Sequence, residues 1–481
     1  MIPDVSIKKG WRVNQFFTAF IVNLAAFAQG VVIGWPSPVM PSLQSSHSPI
    51  GINPMTDEET SWLGSLLCLG ALVGTPAFTH LANHYSRKMT GYLLGVPSVI
   101  SWLMVILAKS EPVLYLARFI VGFSGAGNVI LCPLYVSEMA DDNIRGTLGT
   151  YMMLFTNAGV VFSYLVGFYS SYLIFSCVCL IMPVAFLVGF FFLPESPVYL
   201  LKQGKYYEAE KALYWFKNGD KESVDMAIEE IVKSLKFYEE NLSGTPLRQV
   251  LGNRGTVRGL IISLLLILNI QLSGISAFQA YTAQVFRESG GALSRSSSTI
   301  VIGVLQLFSV LTTSFLIDRA GRKILLLISN LLSSTCLCAF GIYLYLKSRG
   351  IEVTGYEWAP VVCLSLYVVA VSLGIGPVPL LIMSEIFSPG VRAIAMTISL
   401  CFLWVASFLV CKFFPDLYTS MGLFGCCWLF AGSCFVFGLL EWAVVVETKN
   451  RSFESISREL NGNKSKKDVI LSKSAIVYVD S

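Results

Sequence analysis

Twelve apolar runs, each about 20 residues long, constrain this chain more than any other feature. Six lie at about 14–35, 60–80, 89–108, 113–134, 148–169 and 172–193. After a polar interruption, six more follow at about 257–282, 298–317, 324–346, 359–384, 394–414 and 422–446. A run of that length has to satisfy its own backbone hydrogen bonds inside lipid, which only a helix does within one segment. The expected fold class is therefore an all-α membrane protein, with twelve transmembrane helices arranged as two six-helix bundles. Its expected divisions are an N-terminal tail 1–11, a first bundle 12–193, a helical linker 194–256, a second bundle 257–446 and a C-terminal tail 447–481.

Composition agrees with a membrane protein. The 481 residues are 54% hydrophobic and 13% charged, about half the usual charged share of a globular chain. A net charge of +4 gives no reason to expect a nucleic-acid partner. The bilayer is the expected partner, no metal or cofactor is expected, and the chain is expected to act as a monomer. The 12 Cys fall in apolar stretches without paired spacing, so they are expected to be buried thiols.

Basic residues set the orientation. With both termini in the cytosol, only Lys109, Arg118, Arg287, Arg295, Lys347, Arg349 and Lys412 of the 34 Lys and Arg fall outside or at outer helix ends. In the linker, Ala209, Leu213 and Phe216 have helical spacing, as do Ala227, Ile231 and Leu235. Short cytosolic helices against the inner face of the bundle are expected there. The tail after Ser457, rich in Lys and Ser, is expected to be disordered.

The two halves repeat each other. The turn Asp318-Arg-Ala-Gly-Arg-Lys323 follows the eighth span, and a decayed copy, Asn83-His-Tyr-Ser-Arg-Lys88, follows the second. Glu138 and Arg145 stand seven apart at the end of the fourth span, as do Glu385 and Arg392 at the end of the tenth. Glu195 and Glu447 stand where the sixth and twelfth spans leave the membrane. Repeated halves with matched charges at one face are typical of secondary transporters.

Two other motifs carry no chemistry. His80 and His84 have metal-ligand spacing but lie at a helix end without the Glu of a zincin. Gly122-Phe-Ser-Gly-Ala-Gly127 follows no strand, and its glycines are expected to form a helix-contact surface.

Seven motifs in order carry a family resemblance. They are RFIVGFSGAG from Arg118, PLYVSEMADDNIRG from Pro133, PESP from Pro194, QLSGISA from Gln271, DRAGRK from Asp318, GPVP from Gly376 and ETKNRSF from Glu447. From about residue 12 to 456 the chain resembles the sugar-porter family of the major facilitator superfamily. The string from Glu58 to Gly74 and the Gln279 to Phe286 pattern look most like insect facilitated trehalose transporters. The resemblance implies the major facilitator fold and an alternating-access carrier, not an enzyme, with one sugar site near the midplane at the plasma membrane.

Sugar hydroxyls both donate and accept, as amides do, and C–H faces of a sugar suit aromatic rings. Gln271, in the middle of the apolar seventh span, is the first candidate ligand, followed by Ser276, Gln279 and Tyr281 on the same span. On one continuous helix, Gln271 and Gln279 share a face. By resemblance, Gln306 occupies an amide position of the eighth span, and Trp404 stacks on the sugar or seals its exit. The family's usual polar or aromatic residues are replaced by Met153, Ile270 and Leu380, and its Asn after QLSGI by Ser276. The site is thus less polar than a glucose carrier's.

The resemblance also implies a cytosolic gate. Arg87, Glu138 and Arg145 cluster in one half, Asp318, Arg322, Glu385 and Arg392 in the other, with Glu195 and Glu447 joining them. Because Asn83, His84 and Ser86 break the first turn, this latch is expected to depend mainly on the second half. The first span has no Asp or Glu to take a proton, and this favours facilitated transport of trehalose or a hexose. The alternatives are a non-transporting sugar sensor of the same fold and a proton-coupled symporter.

Overall fold

The structure is a computed structural model. It describes residues 13–51, 53–242, 254–289, 294–351, 355–449, 451 and 453–461. The expected tail 1–11, the end of the linker and most of the C-terminal tail lie outside these residues, as does the side chain of Asp318.

All regular structure among the described residues is α-helix. The first six spans are Val13–Gly34 continued by Pro36–Leu43, then Asp57–His84, Arg87–Leu107, Glu111–Met139, Asp142–Tyr169 and Tyr172–Phe192. The second six begin with Arg254–Leu272 continued by Ile275–Ser289, then Arg295–Ala320, Arg322–Ser348 and Ala359–Leu373 continued by Pro377–Ile386. The remaining helical stretch, Pro389–Val444, has 56 residues. A straight helix of that length measures about 84 Å, far beyond a bilayer core of about 30 Å. The break comes at Gly422, whose φ of +71° only glycine adopts readily, and divides the stretch into the eleventh and twelfth spans.

Local chemistry fixes the helix ends. The second span starts at a capping box: Glu59 N–H donates to Thr56 Oγ1 (3.2 Å) and Thr56 N–H to Glu59 Oε2 (2.7 Å). The two copies of the repeated turn solve the same problem differently. Gly321, at φ +89°, turns the chain into the ninth span. Its counterpart Ser86 has φ −68° and uses its hydroxyl to accept from Met89 N–H at 3.0 Å. Loss of a glycine there is offset by gain of a side-chain cap.

Packing inside each bundle relies on close backbone approach, because lipid supplies no hydrophobic drive between helices. A Cβ on Gly122 would lie 2.0 Å from the Leu67 carbonyl oxygen, and one on Gly70 would lie 1.9 Å from that of Phe119. The glycine-rich string of the fourth span is therefore a contact surface for the second. The thiols are mostly buried, but Cys177 and Cys338 are exposed on the bundle surface.

Helices Pro197–Lys202, Tyr206–Phe216 and Lys221–Leu242 form the linker. Ala209, Leu213 and Phe216 are buried, as their spacing predicts. The linker docks on the first bundle: Lys217 Nζ pairs with Asp141 at 2.5 Å, and Asn14 Nδ2 donates to the Trp215 carbonyl at 2.6 Å. One helix was not expected. Phe453–Leu460 buries Ile456 and Leu460, and Arg258 Nη1 donates to the Leu460 carbonyl at 2.8 Å. Ordered structure thus extends to residue 461, past Ser457.

Candidate functional site

At one end of the bundle each half carries the same charged assembly. In the first, Arg87 grips Glu138 with both forks, Nη2 to Oε1 at 2.6 Å and Nε to Oε2 at 3.0 Å. Glu195 accepts from the backbone N–H of Arg87 (2.9 Å) and of Lys88 (3.2 Å). In the second, Arg322 Nη2 donates to Glu385 Oε1 at 3.0 Å. Glu447 accepts from the N–H groups of Arg322 (3.1 Å) and Lys323 (3.0 Å). In both halves a carboxylate from the last span caps the N-terminus of the third span of that half, where free N–H groups and the helix dipole favour negative charge. Arg145 and Arg392 also match, each donating to a carbonyl five residues back, those of Ala140 (3.2 Å) and Phe387 (3.3 Å). The first half's ion pair is the shorter and deeper, with side chains 10% and 9% exposed against 10% and 26% in the second. Decay of the first turn left its central pair intact.

The halves meet along two main seams and at a first-to-seventh-span contact, where the Ala283 N–H donates to Ser37 Oγ at 3.2 Å. The second and eleventh spans run antiparallel, with contacts in matching order. Lys412 Nζ donates to Ser61 Oγ at 2.7 Å, and the Cys68 thiol to Ser407 Oγ at 3.4 Å. Trp404 Nε1 donates to Thr75 Oγ1 at 3.0 Å, and Thr79 meets Thr397 at 3.2 Å. Ser61, Cys68, Thr75 and Thr79 lie at helical spacings on one face. In the other seam Tyr164 of the fifth span packs on Gly303 of the eighth.

The seventh span is broken where sequence reading makes it continuous. Its first helix ends at Leu272, Gly274 sits at φ +86°, and a new helix starts at Ile275. The break brings Ser276 back onto Gln271: the hydroxyl donates to Gln271 Oε1 at 2.8 Å. Gln279 goes elsewhere, into a cleft with Gln306, Tyr164 and Thr282. Tyr164 is the residue sequence reading missed, since a lone Tyr in a span has no motif to mark it. Tyr281 packs between the halves at 3% exposure, its hydroxyl donating to the Cys411 carbonyl at 3.3 Å and its ring stacked on Phe414.

Trp404 is half-buried in the seam, bound to Thr75. Met153 and Leu380 are half-buried and Ile270 is buried in the second bundle's core. His80 and His84 stack on each other at a helix end, 4.3 Å between ring centroids. Arg118 is 4% exposed and donates to the carbonyls of Leu63 (3.0 Å) and Val32 (3.1 Å) beneath the indole of Trp35.

Known proteins resemble this chain in sequence and in fold. Residues 18–460 match the family described as "Sugar (and other) transporter". The facilitated trehalose transporter Tret1 of Culex quinquefasciatus is 32% identical over 449 residues, covering 93% of this chain and 86% of that protein. Its namesake in Drosophila mojavensis is 31% identical over 93% of this chain, which spans 52% of that longer protein. Among solved structures, the inward-open xylose transporter XylE of E. coli superimposes with a TM-score of 0.76 at 21% identity, over 92% of this chain and 99% of that one. A partially occluded form of it gives 0.72 at 19% identity, over 90% and 100%. With the family profile spanning nearly every helix of both bundles, the chain belongs to the sugar (and other) transporter family.

Proposed function

We propose that this chain is a facilitative carrier that moves trehalose or a hexose down its gradient by alternating access, as a monomer in the plasma membrane. The charged end, with both termini, faces the cytosol. The environment of Arg118 carries the uniport reading. Its charge is met by two carbonyl oxygens and the face of Trp35. Coupling to a proton gradient calls for a titratable group in the pathway, and residues 13–43 of the first span contain none. The relatives named for facilitated trehalose transport support the same reading.

Gln271 and Ser276 at the break of the seventh span are the proposed centre of the sugar site, with Gln279, Gln306 and Tyr164 as a second polar group. Matched charge clusters hold each half as a rigid unit, and the seams rock between the units. Tracer counterflow with purified protein in liposomes tests this, using trehalose, hexoses and polyols. Saturable flux that a protonophore leaves unchanged is the expected result. Binding without flux would make the chain a sensor, and flux abolished by the protonophore would make it a symporter.

A further inference from the structure

Glu441 of the twelfth span lies inside the second bundle at 1% exposure. Its Oε1 accepts from Asn269 Nδ2 and its Oε2 from Asn330 Nδ2, both at 2.9 Å, and Asn269 Nδ2 also donates to Asn330 Oδ1 at 3.0 Å. Gly438, one turn earlier, makes room for this: a Cβ there would lie 2.8 Å from that of Asn330. Among the described residues, the groups facing the carboxyl are Asn269 from the seventh span, Asn330 from the ninth, and Cys434 on its own helix. The cations that open the ninth span are engaged elsewhere: Arg322 pairs with Glu385, and Lys323 lies over the Trp442 ring. A buried carboxylate met only by neutral amides is costly, and one bound cation removes that cost.

A second observation says which cation. Among the described residues, Asn269 Oδ1 is buried and has no hydrogen-bond partner. A metal ion would want about six oxygens around it, but both carboxylate oxygens already hold amide N–H groups. A proton needs a single acceptor. A half-turn of the Asn269 amide exchanges its N–H for Oδ1 and supplies that acceptor. The amide then has two settings, one for the ionised carboxylate and one for the protonated acid.

We propose that Glu441, Asn269 and Asn330 form a proton-binding site through which pH sets the seating of the first helix of the seventh span. Asn269 is two residues before Gln271, and the backbone N–H of Ser273 donates to its carbonyl at 2.8 Å. Movement of that helix therefore reaches the proposed sugar site directly. On the uniport reading, the proton regulates the carrier and is not carried with the sugar.

Infrared difference spectra of the full-length protein in liposomes, taken between about pH 5 and pH 9, read the site without any substrate. A carboxylic C=O band should titrate in the wild type, vanish in Glu441→Gln and shift in Glu441→Asp. Tracer uptake with equal pH on both sides should vary with pH in the wild type and lose that dependence in Glu441→Gln. The same band, or the same pH profile, in the wild type and Glu441→Gln overturns the proposal. So does a band that responds to Na⁺ at fixed pH. Because the spectral arm needs no sugar, its failure is distinct from failure of the carrier reading.

Discussion

The carboxylate of Glu195 accepts the backbone N–H of Arg87 at 2.9 Å, while the Arg87 side chain holds Glu138. One arginine thus ties the second-to-third-span turn to the ends of the fourth and sixth spans. Glu447 and Arg322 repeat the arrangement in the other half. Replacing either capping glutamate by Gln keeps an acceptor but removes the charge from a helix start. Each should cost about 0.3–1 kcal/mol, read as a small and similar fall in melting temperature for Glu195→Gln and Glu447→Gln.

Breaking the central pair should cost more. Arg87→Ala strands Glu138 at 9% exposure, and loss of one partner of a buried pair costs about 3–5 kcal/mol. The double change Arg87→Met with Glu138→Leu should recover much of that. In the second half Glu385 is 26% exposed, so Arg322→Ala should destabilise less than Arg87→Ala. A larger melting shift for Arg322→Ala would contradict this ranking.

Transport gives a separate ranking. Arg322→Ala and Glu385→Ala should slow cycling far more than Asn83→Ala, whose position in the decayed turn carries no charge. Initial uptake rates at matched surface expression decide it, and equal defects would argue against an asymmetric latch.

One of the side-chain hydrogen bonds that join the halves runs from Trp404 to Thr75. Trp404→Phe keeps an aromatic ring, though a smaller one, and removes the donor, worth about 1 kcal/mol or about fivefold in the balance between the two access states. Comparing half-saturation for influx and efflux should reveal that bias as a changed ratio; an unchanged ratio places the bond outside the gating motion.

At the proposed sugar site, Gln271→Ala should weaken apparent affinity by about tenfold or more, since a sugar hydroxyl loses its partner. Met153→Gln and Leu380→Trp should change the relative uptake of trehalose, hexoses and polyols. No change in any profile would remove the claim that these positions tune substrate choice.

Gly122→Ala should fail to accumulate as folded protein, because its new methyl would meet a carbonyl oxygen at 2.0 Å. Gly149→Ala, whose added Cβ would meet no other described residue within 4 Å outside its own helix turn, is the matched control. Yield of monodisperse protein after detergent extraction separates the two.

Span count, the division into halves and the charged residues of one end were all legible in the sequence. Each rests on a local rule: an apolar run long enough to span lipid must be helical, and charges accumulate where the chain leaves the membrane. The repeated turn even placed Arg87 and Arg322 at matching points. Tertiary structure alone decided how these residues pair and where helices break. Gln271 and Ser276 meet only because Gly274 takes a positive φ, an option glycine has but sequence does not compel. Tyr164 joins Gln279 because two bundles dock, and Glu441 finds Asn269 and Asn330 across three helices far apart in the chain. Periodicity reports which face of a helix is apolar. It carries no information on which other helix that face will meet, because lipid satisfies an apolar face as well as protein does.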